Sequence, residues 1–399
     1  MIGVKQSNCT RNRCVSRVFS REEMSGALPH AHAREIISNR DIRNNKIIID
    51  KVDWEKVKQL WAKSKPRIET KSKDLSERVL ELISHARYRK GKIGQTNFLQ
   101  NKTCFINAIR RCVQKGVPIE IILPAFTFKF THSLKTKSLR ADMAEASSIA
   151  KLHELCDQIK MVYPKGATIY IARDGRLYSD IFGRSQKLAD QYGRDLERFV
   201  KSMGFEHEIK FLDIKTALEQ QPDYRRAYQQ AAADVRSVIA NPGEKAGEIK
   251  ALKGSAAANL ELGSIPDKIL NRIYSLPESK LSADELIAKG SIEGRAEKAM
   301  EEYLTRNRAI EILDLYARMR PDAVRGSVHI GDGKLPLQLH RKKTQLFPWM
   351  GVGIIDRKGA SVRYLSEIQD NPNFVPVYVK GHQQPFYYVE RELISNVKK

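Results

Sequence analysis

Long hydrophobic runs are missing from this 399-residue sequence. No stretch approaches the roughly 18–20 consecutive apolar residues that span a bilayer, so no membrane span is expected. The amino-terminal MIGVKQSNCTRNRC has no apolar core of the secretory type, which makes the cytoplasm the expected compartment. Export by a signal-independent machine would leave no such mark. Cysteine is scarce: Cys9, Cys14, Cys104, Cys112 and Cys156 are odd in number and irregularly spaced, which excludes a disulfide framework. Neither they nor the histidines, His132, His340 and His382 among them, have metal-ligand spacing, so no metal is expected. The phosphate loops GxxxxGK[ST] and GxGxxG are absent, as is a serine nucleophile elbow. No cofactor is expected. Acidic residues are also few, with 47 Asp and Glu against 70 Lys and Arg and a net charge of +23.

That basic balance is concentrated early, since 22 Lys and Arg face 11 Asp and Glu in residues 1–100. A basic surface can attract nucleic acid, anionic membrane or phosphorylated metabolites. Zinc-finger spacing and the aromatic and glycine interleaving of single-strand binders are missing, which argues against nucleic acid. With 41% hydrophobic residues the chain can build a large core.

The stretch from Val117 to Asp180 organises the rest. VPIEIILP is a short β-branched run that suits a buried strand. Ile149, Leu152, Leu155 and Ile159 recur at helical spacing. ATIYIA is a second strand, ending in Arg173-Asp174-Gly175. Strand, helix and strand form a right-handed βαβ unit. Ligands of open α/β sheets bind beyond the carboxyl ends of the strands, so Lys129, following the first strand, and Asp174, following the second, share one expected rim. Asp174-Gly175 would equally make a hairpin turn into RLYSD.

Residues 1–45 are polar, basic and aperiodic and read as a mobile arm. Residues 46–74 form a helical extension in which Trp54, Val57 and Trp61 share one face and dock it on the body. The main α/β domain spans 75–390, with a tail over 391–399. GEKAGEIKALKGSAAANLELG reads as a flap or loop, and SADELIAKG begins a long helix with a Ser282/Glu285 capping box. AVRGSVHI, GDGK and LPLQLHRK read as strand, turn and strand. FPWMGVGIID, ASVRYL and VPVYVK close the chain as antiparallel strands. The fold class is α/β, a mainly parallel central sheet flanked by helices, with a helical amino-terminal extension and antiparallel carboxy-terminal strands.

LPAFTFKF, then ADMAE, YPKGATIYIARDGRLYSD, YLTRNRAIEILDLYARMRPDAVRGSVHIGDGK and FPWMGVGIID resemble the isocyanide (isonitrile) synthase family, also called the pyoverdine/dityrosine biosynthesis family, over roughly Leu75 to Glu390. The resemblance implies an enzyme that condenses an amino-acid amine with the ketone of ribulose 5-phosphate. The nitrogen keeps one sugar carbon as an isocyano group. That chemistry needs a phosphate cradle, groups that move protons on imines, and a dry pocket.

The acid–base candidates are Asp174, Asp142, Glu145 and His329. Asp142 and Glu145 lie three apart near a helix start, where Asp142 would equally serve as a cap. Arg325 and His329 lie four apart on a strand, hence on one face. Lys129, Arg325 and Lys334 are the expected phosphate cradle. Arg173, Asp180 and Trp349 complete the substrate-binding set, although Trp349 also suits a core position. The sequence departs from the family motifs at Thr127, where proline is expected; at Ala141, which replaces the proline before the aspartate; at Arg173, where serine is expected; and at Met350, where histidine follows Pro-Trp. An alternative is therefore a family fold acting on a nucleotide such as ATP, with a protein partner that activates it by ordering residues 243–263. A third reading is a basic protein binding nucleic acid or another anionic surface. Turnover of a small phosphorylated molecule separates the enzymes from the binder, whose affinity would fall steeply with salt.

Overall fold

The computed structural model describes residues 40–43, 46–62, 68–91, 98–129, 135, 136, 138–262, 265–330, 333–340 and 346–395. Its first sheet is parallel and five-stranded. The strands are β3 (Ile119–Pro124), β4 (Ala167–Arg173), β5 (Ile209–Asp213), β6 (Val324–Ser327) and β7 (Leu335–Pro336), in the order β5-β4-β3-β6-β7. Ile119, Ile121, Ile122 and Leu123 are all buried, as expected of a strand covered on both faces. The chain winds outward from β3 through β4 to β5, then returns to set β6 on the other side of β3. The space beyond the carboxyl ends of β3 and β6 is thus a topological switch point, where open α/β sheets bind ligands.

The second sheet is mixed and six-stranded. It contains β1 (Arg40–Arg43), β2 (Lys46–Ile49), β8 (Val352–Asp356), β9 (Gly359–Arg363), β10 (Phe374–Val379) and β11 (Tyr387–Glu390), in the order β1-β2-β10-β11-β8-β9. The carboxy-terminal strands therefore join β1 and β2 in a second sheet rather than extending the first. Two of its pairings are parallel, β2 with β10 and β11 with β8. Residues 46–49 are strand rather than helix, and β1 lies within the stretch expected to be a mobile arm. The rest of the expected arm, residues 1–39, 44 and 45, lies outside the described residues.

Between the sheets lies α4 (Met143–Lys160), touching β4 on one side and β8 and β9 on the other. This position explains why even Ser147, Ser148, Lys151 and Glu154 of that helix are buried. Each has a partner: Lys151 Nζ donates to His340 O at 2.6 Å, and Ser148 Oγ lies 3.0 Å from His340 Nε2. Helix α1 (Trp54–Ala62) follows β2 and packs Trp54 against Phe199 at 5.0 Å and Phe386 at 6.1 Å. Trp54 and the buried Val57 thus dock this segment as expected; the Trp61 side chain lies outside the described residues. Helices α2 (Leu75–Ile83) and α3 (Phe98–Lys115) lead into β3.

After β4 come α5 (Gly175–Phe182) and α6 (Gln186–Met203), and after β5 come α7 (Ile214–Glu219) and α8 (Tyr224–Ala240). The segment expected to be a flap is instead a helix, α9 (Ala246–Ala257). Helix α10 (Asp267–Ser275) follows it. The 30-residue α11 (Ala283–Ile312) then starts at the Ser282/Glu285 capping box. The short α12 (Leu315–Met319) leads into β6, and α13 (Arg391–Ser395) ends the described chain. Strands β6 and β7 pair in parallel, Gly326 opposite Leu335, which corrects the expected hairpin; Gly331 and Asp332 of its turn lie outside the described residues. Among the described residues no helix is long and apolar enough to cross a membrane.

Candidate active site

A cavity of about 450 Å³ opens at the switch point. Its floor comes from the strand ends: Pro124, Ala125 and Thr127 after β3, Asp174 after β4, and Ser327, Val328 and His329 at the end of β6. Met300, Tyr303 and Asn307 of α11 form one wall with Tyr316 of α12. Helix α9 adds Leu252, Ser255 and Ala256, and the turn at Phe347, Trp349 and Met350 closes the other side.

Asp174 is the chemically distinctive residue. It is the N-cap residue of α5, but its side chain caps nothing. Its Oδ1 is fully covered and has no hydrogen-bond partner among the described residues. Burial pushes its carboxyl up to about 7, opposed by the Thr127 hydroxyl and raised further by Asp213. Gly175 is required here because a Cβ would stand 2.1 Å from Thr127 O. That contact, rather than a hairpin, explains the Asp-Gly pair: the start of α5 is pressed against the exit of β3. One helical turn on, Tyr178 meets Tyr303 with ring centroids 5.5 Å apart. Burial, with Asp174 next in importance, holds the Tyr178 hydroxyl well above its ordinary value; burial likewise raises Tyr303 and Tyr316. The three phenols are therefore neutral proton donors around a carboxyl poised near neutrality.

The basic candidates near β6 also reach the cavity. Arg325 donates to Asp314 at 3.0 Å and lies over the Tyr316 ring. His329 stands at an exposed position, its ring 4.9 Å from that of Phe347. Partial enclosure and the charges of Lys90 and Lys334 hold its imidazole below the usual value, so it is neutral at pH 7. Lys334 lines the cavity as well. Trp349 is both core and wall: it is buried, stacks on Phe347 at 5.1 Å and touches Phe126 at 5.5 Å.

Five expected site residues lie elsewhere. Phe126 adopts a left-handed conformation with φ of 59°, a costly state for a bulky residue. Beyond that kink Lys129 is enclosed by protein. Its Nζ donates to Asp142 and, at 3.0 Å, to Gly351 O, and lies 3.3 Å from Glu145. Asp142 and Glu145 cap α4 reciprocally, and Tyr192 donates to Glu145 at 3.0 Å. The triad therefore joins α4 to β8 and does not line the cavity; the expected cradle loses Lys129, and the acid–base set loses Asp142 and Glu145. Burial pushes Glu145 up to about 8, so it holds a proton at neutral pH beside the Lys129–Asp142 pair. Arg173 faces another, smaller cavity, pairs with Glu197 at 3.0 Å and covers the Phe211 ring. Asp180 is consumed in ion pairs with Lys215 at 2.7 Å and Arg306 at 3.6 Å. Among the described residues no group of three His, Cys, Asp or Glu stands together as a metal site.

The sequence pattern of the pyoverdine/dityrosine biosynthesis protein family matches residues 109–372, which holds both strand ends and the cavity floor. The chain belongs to this family. Its relatives within the family include an L-tyrosine isonitrile synthase of Xenorhabdus nematophila, 27% identical over 79% of this chain and 92% of the relative. Another L-tyrosine isonitrile synthase, from Pseudomonas aeruginosa, is 28% identical over 61% of this chain and 71% of the relative. An L-tryptophan isonitrile synthase of Fischerella ambigua is 31% identical over 34% of this chain and 42% of its own length. The crystal structure of the PvcA protein from Pseudomonas aeruginosa has the same fold. It superposes with a TM-score of 0.62 at 21% identity, covering 79% of this chain and all of that one. The chain is thus an enzyme of the pyoverdine/dityrosine family with an α/β fold.

Of the cavity residues that sequence reasoning missed, Tyr178, Tyr303 and Asn307 carried a partial signal and Lys135 carried none. Asp174 and Tyr178 lie four apart, as do Tyr303 and Asn307, and residues so spaced share a helix face. Reading RLYSD as a strand hid the first pair.

Proposed function

We propose that this enzyme is an isonitrile synthase that joins an amino-acid amine to the ketone of a ribulose-type sugar phosphate and retains one sugar carbon on the nitrogen as the isocyano group. The observation that carries the reading is Asp174, a covered carboxyl with an unpartnered oxygen and a pKa near 7 at the floor of the switch-point cavity. Amine and ketone condense with loss of water; the former ketone carbon must then be cut from both of its carbon neighbours, the rest of the sugar being expelled, and these steps require protons to be lost and gained. Asp174 is the base for those transfers, with Tyr178 and Tyr303 as neutral donors. Arg325 and Lys334 receive the phosphate, and neutral His329 at the mouth is the second proton carrier. The Phe347–Trp349 stack and Phe182 offer apolar surface that excludes water.

The test supplies L-tyrosine or L-tryptophan with ribulose 5-phosphate and follows the isocyano group by infrared absorption and mass. Formation is expected from the wild-type chain and not from Asp174→Asn. One observation favours a second reading, a nucleotide substrate: Met350, where the family motif has histidine, stands in the cavity wall beside a stacked aromatic pair that an adenine ring would match. ATP is therefore offered to the same preparation, with and without cell extract to supply a partner. Nucleotide consumption without isocyanide would replace the first reading by the second.

A further inference from the structure

Lys135 lines the cavity with Asn259 and Phe182, on a segment of the chain remote in sequence from Arg325 and Lys334. Its backbone is fixed, because Lys135 O accepts from Leu365 N at 2.9 Å. Its ammonium is half-buried and makes one hydrogen bond among the described residues, to Asn259 Oδ1 at 3.3 Å. The neighbouring buried cation, Arg184, is already matched by Glu261 at 2.9 Å and by the carbonyls of Asn259 and Leu260. Arg325, on the β6 side, has Asp314. Lys135 has no carboxylate among the described residues. Burial, and then the Arg184 charge, hold its ammonium below the usual lysine range. A half-buried ammonium with a single hydrogen bond among the described residues and a like charge beside it is poorly solvated. An anion entering the cavity would relieve it.

We propose that Lys135 is a second anion-binding subsite of the cavity, separate from Arg325 and Lys334, and that it takes the carboxylate or the phosphate of one of two substrates bound together. The proposal rests on the two-substrate reading above, since a reaction between an amino acid and a sugar phosphate brings one anionic group on each partner. Two separated cationic walls with Asp174 on the floor would hold both anions apart and leave amine and ketone to meet over the carboxyl. Lys135 is a binding residue in this scheme and moves no proton.

Calorimetric titration of the full chain tests it with paired probes: L-tyrosine against tyramine, which lacks the carboxylate, and ribose 5-phosphate against ribose. Lys135→Met is expected to weaken one anionic probe roughly 10- to 100-fold, the worth of one charge-assisted hydrogen bond, and to leave its neutral counterpart unchanged. Lys135→Arg should retain most of the affinity. The pair that responds identifies the anion as carboxylate or phosphate. The proposal is overturned if Lys135→Met binds both anionic probes as the wild type does. It is also overturned if neutral and anionic probes weaken alike, or if the wild-type chain binds neither anion. Because binding is read without turnover, a Lys135-dependent affinity in a chain that forms no isocyanide would sink the reaction and keep the subsite. Isocyanide formation with unaltered anion affinity in Lys135→Met would do the reverse.

Discussion

Asp174→Asn should be nearly inactive and, at alkaline pH, more stable than the wild-type chain. The activity loss follows from its proposed role, since removing a positioned base costs on the order of 10²–10⁴ in rate. The gain in stability follows from the raised carboxyl. Unfolded, Asp174 ionises near its ordinary value of 3.8; folded, it does so near 7. Below both values each state holds the proton and nothing is lost. Between them only the folded state keeps the proton, so stability falls as pH rises, and above about 7 the full penalty persists. Three pH units correspond to roughly 4 kcal/mol as an upper limit, reduced to the extent that cavity water reaches the carboxyl. Asparagine has the same shape and no charge, so its advantage should be largest at pH 8 and vanish towards pH 4. Denaturant unfolding at both pH values reads this directly. A variant that is both inactive and less stable at pH 8 would mark Asp174 as a structural residue.

The βαβ unit was legible in the sequence because two apolar runs and a helical period are local signals. The rim followed from topology, and it does hold Asp174. What local patterns could not carry was direction. Lys129 and Ala125 both follow β3, yet the left-handed turn at Phe126 separates them, sending Lys129 towards β8 while Ala125 lines the cavity. Nothing in Ala-Phe-Thr-Phe-Lys announces that turn, since phenylalanine rarely adopts it. Arg173 and Asp174 are adjacent and still face different cavities, because the strand ends between them. The β2–β10 pairing sets Ile47 beside Val377, a contact across most of the chain that depends on neither segment alone. In α9, Gly247 and Gly254 suggested a loop, and the structure offers no steric need for either. Leu252, Ser255 and Ala256 contribute the cavity surface that accompanies helix formation there despite roughly 1 kcal/mol lost per glycine.

Lys129→Met should unfold far more readily than the wild type, whatever the reaction proves to be. The Lys129 nitrogen meets Asp142, Gly351 O and Glu145 with no exposed surface. Burial by itself would lower its pKa, but the Asp142 carboxylate, with hydrogen bonds to Asp142 and Glu145, more than restores it, so the ammonium persists. Removing it leaves Asp142 buried without a counter-charge, and breaking such a pair from one side costs on the order of 3–5 kcal/mol. Gly353 shows how little room remains for relaxation, since a Cβ there would lie 2.7 Å from Ala144 N and 3.1 Å from Asp142 Oδ1. Glu145→Gln should behave differently. Glu145 already holds a proton below about pH 8, so glutamine imitates its neutral form and should cost little at pH 7. In the wild type, stability declines as pH rises from the ordinary glutamate value towards 8, where the penalty becomes complete; Glu145→Gln should lose that decline. Adding Asp142→Asn to Lys129→Met should recover part of the stability by removing the orphaned charge. Melting temperatures of the three variants at pH 7, with a pH series for Glu145→Gln, decide the matter. A Lys129→Met chain that melts like the wild type but fails to bind sugar phosphate would move the lysine from the core of the protein to its cavity.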